Sequence, residues 1–172
     1  MNSIANFNNI DDYIYMFNGS ILAELIIIII VYYTNYFNST ILMNWYEKYR
    51  LSAVIADVFI LVIGMIITRW IFTKYNLKYT LIRFLSIILI VQIVHDILFY
   101  LFFKNIPIGK NNMLDLFKSY ASEVGYKAIL GDSFMIIIAG IASLYFSNKD
   151  KNINIIALIT MVYLIPYIIY TK

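Results

Sequence analysis

Cysteine is absent from the chain, which removes disulfides, thiolate metal sites and a cysteine nucleophile from consideration. Only two prolines and six glycines interrupt its 172 residues, so long continuous helices joined by short links are expected. Charge is scarce: Asp, Glu, Lys and Arg make up 13% of the chain, against about 25% in ordinary soluble domains. The net charge of +3 is scattered, without the Lys/Arg block or basic stripe that a phosphate backbone requires. That distribution argues against nucleic-acid binding.

What fills the space is apolar. Hydrophobic residues account for 62%, more than a soluble domain of this length can bury, so the excess must face lipid. The runs have the length a helix needs to cross about 30 Å of hydrocarbon, roughly 20 residues each. The fold class expected is all-α: a polytopic transmembrane bundle with about five spans plus one interfacial amphipathic helix, preceded by a polar segment over residues 1–19. The spans are expected at about 20–37, 51–70, 80–103, 127–146 and 153–170. A four-span arrangement, with the first run lying in the interface, is the main alternative. No basic n-region or cleavage site precedes the first run, which therefore does not read as a cleaved signal peptide.

Punctuation supports this division. Trp45 and Trp70 bracket the second span as interfacial anchors, and Pro107 and Gly109 break the chain after the third. The fifth is flanked by Lys149, Lys151 and Lys172, with Pro166 in its last turn. From residue 112 to 126 the pattern becomes amphipathic: Met113, Leu116, Phe117, Tyr120 and Val124 fall on one arc, with Asp115, Lys118, Ser119, Ser122 and Glu123 opposite. Asn112 is placed to cap its first turn.

The rare ionisable residues inside the spans are the candidates for chemistry. Asp57 lies about six residues into the second span, roughly 9 Å from its start at 1.5 Å per residue. His95 and Asp96 lie a similar distance before the end of the third, and Asp132 about five residues into the fourth. Because successive spans alternate in direction, those three ends share one side of the membrane. Glu24, near the expected start of the first span, reads as an interfacial acid on the opposite side. Ala53, Gly64 and Thr68 share the face of Asp57; Ala128, Ala139 and Ser143 share that of Asp132, and small residues there permit close helix approach. Gln92, Asp96 and Tyr100 recur on one face of the third span, with His95 on its shoulder.

These residues define a candidate site: Asp57, Asp96, Asp132 and His95 as acid, base or ligands, with Gln92 and Tyr100 lining it. Paired carboxylates and an imidazole in low dielectric could handle a proton, an ion or a lipid head group. One histidine and several aspartates suit Mn, Mg or Zn without specifying any, which leaves metal and cofactor open. The same residues could instead fix helix packing in a structural or assembly protein. Gly131-Asp132-Ser133 mimics a GDSL hydrolase block but lacks the downstream Asp-x-x-His. Gly109-Lys110 lacks the spacing of a phosphate loop.

Gln92-x-x-His95-Asp96, Phe99-Tyr100, the Pro107 turn, Met113-Leu-Asp115-x-Phe117-Lys118 and Gly131-Asp132-Ser133 together resemble a family of uncharacterised multi-span membrane proteins of large DNA viruses, over roughly residues 80–146. The resemblance implies a virion or host internal membrane as location and carries no active-site assignment. Expected partners are the lipid bilayer and, through the 112–126 helix, a second copy of the chain or a capsid-associated protein.

Overall fold

A computed structural model describes residues 4–34, 36–37 and 39–171; Lys172, expected to flank the fifth span, and Asn35, within the expected first span, lie outside the described residues. The helices are α1 (Asp12–Tyr33), α2 (Thr40–Tyr49), α3 (Leu51–Lys74), α4 (Leu81–Lys104), α5 (Asn112–Val124), α6 (Lys127–Ser147) and α7 (Lys151–Ile169). Among the described residues there is no strand, and α1, α3, α4, α6 and α7 are long and apolar enough to cross a membrane. The protein is a five-span helical bundle with two shorter helices.

Contacts along the bundle fix its direction. Asp12 meets Arg69 and Asn18 meets Asn154 on the face where α1 begins, called here the N face. On the opposite, C face, the Tyr32 hydroxyl donates to the Ile169 carbonyl. α2 and α5 both lie toward this C face. Five alternating spans put residues 8 and 171 on opposite sides. Single cysteines, Asn8→Cys and Thr171→Cys, should accordingly be labelled by an impermeant maleimide from opposite sides of sealed vesicles; labelling from the same side would rule out five spans.

Helix starts follow local capping chemistry. Ser39 Oγ accepts from Leu42 N at 3.1 Å, Thr80 Oγ1 from Arg83 N at 3.2 Å, and Asp150 Oδ1 from Ile153 N at 2.9 Å. At α5 the cap is Asn111, one residue earlier than expected, its Oδ1 accepting from Met113 N and Leu114 N.

The first span departs most from expectation, beginning at Asp12 instead of residue 20. The polar residues that disguise its first two turns find partners inside the bundle. Asp12 pairs with Arg69 at 3.0 Å, and Asn18 Nδ2 donates to both Asn154 oxygens at 2.9 and 3.0 Å. With those partners, a helix can continue through residues that read as a polar leader. The stretch before it is not a free tail either, since Ile4 and Ala5 are buried.

α1 is also the most enclosed span. In its most apolar window 61% of residues are buried, against 17% in α4, which leaves α4 largely to lipid. The centre of the bundle is therefore α1. α1 packs most extensively on α6, where Gly19 faces Ala139 and Ser143, small residues that bring the two backbones together.

Candidate functional site

Toward the C face the bundle does not close. α3, α4 and α6 diverge around a cavity of about 620 Å³, walled by α2 and α5. α2 is the element that sequence patterning left as a link. Its N-terminus is held by Glu123 of α5, which accepts from Ser39 Oγ and Thr40 N at 3.3 Å each. Phe117 of α5 packs between Trp45 of α2 and Phe99 and Phe103 of α4, with centroids 4.9, 5.2 and 6.2 Å away. The apolar arc of the amphipathic helix is thus turned inward, onto the cavity.

Asp57, Asp96, Asp132, His95, Gln92 and Tyr100 all line this one cavity. Asp57 Oδ2 accepts from Trp45 Nε1 at 2.8 Å and from the Tyr46 hydroxyl at 3.4 Å. Asp96 Oδ1 accepts from Gln92 Nε2 at 2.8 Å and lies 3.1 Å from His95 Nδ1, while its Oδ2 is buried with no hydrogen-bond partner among the described residues. The His95 ring is stacked on Phe99, 5.7 Å between centroids. Asp132 stands opposite, close enough to Asp96 and Asp57 for like-charge repulsion to act on it. Tyr100 forms the rim, exposed, with its ring against Phe103 and the Lys104 ammonium. The surface that Asp57 and Asp132 retain faces the cavity, deep among protein atoms, and not the outside.

Glu24 is not on the opposite side. Because α1 begins eight residues earlier than expected, Glu24 falls at mid-helix, fully buried, just behind the wall beside Tyr46, Asp57 and Asp132. Burial, followed by the nearby Glu24 and Asp57 carboxylates, holds the Tyr46 hydroxyl well above the usual phenol range. Burial, then Asp132 and Asp57, does the same to Tyr120 of α5. Both phenols stay neutral donors on an acidic site.

Sequence reasoning missed Glu24, Trp45, Tyr46 and Tyr120 as members of this region. A usable signal existed for α2: Ser39 as a cap, then Leu42, Trp45, Tyr46 and Tyr49 at helical spacing. Among the described residues no three His, Asp or Glu side chains come together closely enough to hold a metal ion. No family model, curated protein or solved structure matches the chain.

Proposed function

We propose that the protein binds a positively charged amphiphile, an ammonium head with an apolar tail, in the cavity at the C-face leaflet. The observation that carries this reading is the wall itself: three aspartates and, among the described residues, no lysine and no arginine, in a mainly apolar and aromatic lining. A cation entering there gains three carboxylates, and the faces of Trp45, Phe99 and Phe117 suit an alkylammonium head. The volume of about 620 Å³ falls within the range of about 300–1,000 Å³ typical of small-molecule sites. A lone proton or inorganic ion would leave most of that apolar space unused.

The alternative is a structural or assembly role in a viral membrane, with a capsid-layer partner docking on the 112–126 helix. It is less well supported, because that helix already spends its apolar arc on Trp45, Phe99 and Phe103. Packing alone also gives no reason for acids around a cavity.

The test is binding of dodecyltrimethylammonium to the protein in zwitterionic nanodiscs, measured by calorimetry above the partition into empty discs. Uncharged dodecanol is the control. Asp57→Asn, Asp96→Asn and Asp132→Asn should each weaken binding of the cation by at least about tenfold, since a unit charge about 5–10 Å away at an effective dielectric of about 20 is worth roughly 2–3 kcal/mol. Equal binding of the alcohol, or indifference to all three amides, would overturn the reading.

A further inference from the structure

Behind the cavity wall lies a carboxyl group that the binding reading does not use. Glu24 sits in the middle of α1, next to the apolar run Leu25–Val31, with 0% exposure and neither Oε meeting a donor in hydrogen-bond geometry among the described residues. The groups that face it are Tyr46 from α2, Asp57 from α3 and Asp132 from α6, none of them cationic. α7, which also packs on α1, carries one charged residue, Lys151, at the far end and engaged with Asp11. An ionised carboxylate here would have no counter-charge and would add a fourth negative charge to three others in low dielectric.

Tyr46 links the two places through a hydroxyl that can both accept and donate a proton. It lines the cavity, donates to Asp57 Oδ2 at 3.4 Å and adjoins the Glu24 carboxyl. We propose that Glu24 stores a proton that leaves through Tyr46 and Asp57 as the cation enters, so that the site exchanges one proton for one cation. The inference rests on the cation-binding reading and adds its coupling.

The transfer balances without any co-reactant. The Glu24 carboxyl O–H breaks as its proton passes to the Tyr46 oxygen, while the Tyr46 hydroxyl proton, already directed at Asp57, forms a new O–H on Oδ2. Asp57 then releases that proton to water at the cavity mouth. Tyr46 is neutral before and after, and the net change is one proton lost by Glu24. One positive charge enters as one leaves, which keeps the total charge of the low-dielectric site constant.

Calorimetry of dodecyltrimethylammonium binding in buffers of different ionisation enthalpy counts the protons released. Wild type should release about one per cation, and by linkage its Kd should fall about tenfold per pH unit as pH rises, wherever a full proton is released. Glu24→Gln should still bind but release about none and lose the pH slope. Tyr46→Phe should keep the count yet slow the release, followed by stopped flow with a pH dye, by at least about tenfold. If Glu24→Gln does not fold, the wild-type count and the Tyr46→Phe rate still decide. Binding by wild type with no proton released, or equal release by Glu24→Gln, overturns the exchange and leaves the binding reading standing. No binding at any pH overturns both.

Discussion

Replacing Arg69 with methionine should destabilise the protein by about 3–5 kcal/mol, the usual cost of breaking a buried ion pair from one side. Arg69 is completely buried near the N-face end of α3. Its guanidinium donates to Asp12 Oδ2 at 3.0 Å, to the carbonyl of Asn9 at 2.7 Å and to that of Asn6, and lies over the Tyr13 ring. The segment before α1 is wound around this one cation, with a further tie from Phe7 N to Thr73 Oγ1 at 3.0 Å. Methionine would fill much of the volume but leave the Asp12 carboxylate buried without a counter-charge and two carbonyls without donors. Thermal unfolding in detergent, with proteolysis of residues 4–11 as a local readout, measures the loss. Arg69→Met combined with Asp12→Asn should recover part of it, because the uncompensated charge is then gone. Equal stability of wild type and the single variant would show that the pair contributes nothing net.

Gly19→Ala should cost about 1–3 kcal/mol, a large penalty for one methyl group. A Cβ at this position would lie 2.5 Å from the Ala139 carbonyl oxygen and closer still to Ser143 Oγ. The obstacle is largely backbone, so no rotamer change relieves it, and α1 must move away from α6. That movement also shifts Glu24, five residues further along α1, relative to Tyr46. Gly131→Ala is the matched control on α6. Its Cβ would meet only Phe37, at 3.9 Å, so its stability should stay unchanged or rise slightly through helix propensity. Thermal unfolding of the two variants side by side checks the contrast; a Gly19→Ala protein as stable as wild type would mean that the helices are not held this close.

Both effects arise at α1, the span least legible in the sequence. Apolar runs mark α3, α4, α6 and α7 because those helices offer broad apolar faces to lipid, and lipid exposure is what hydropathy detects. α1 is enclosed by protein and can carry Asp12 and Asn18, whose partners are far away in the chain, and a buried Glu24. Its true start is invisible without them. The equal depth of Asp57, Asp96 and Asp132 needed only the span ends, which punctuation marks well. The position of Glu24 needed the start of α1, and the same depth argument therefore put it on the wrong side. α2 escaped for a different reason: ten residues with Asn44, Glu47 and Lys48 among them hold too little apolar sequence to register as a membrane element, although Trp45 and Tyr46 are buried.

The close pairing of α1 with α6 has a consequence for biogenesis. Ser143 follows Gly19 by 124 residues, so at about 5–20 residues per second the ribosome needs on the order of ten seconds to deliver the partner of the first span. Throughout that interval α1 lacks the helix it packs on most extensively, and Asn18 waits longer still for Asn154. Insertion and assembly are thus separate stages in this protein, and a chain arrested before its fourth span emerges would leave its first span without its main partner in the membrane, a target for quality control.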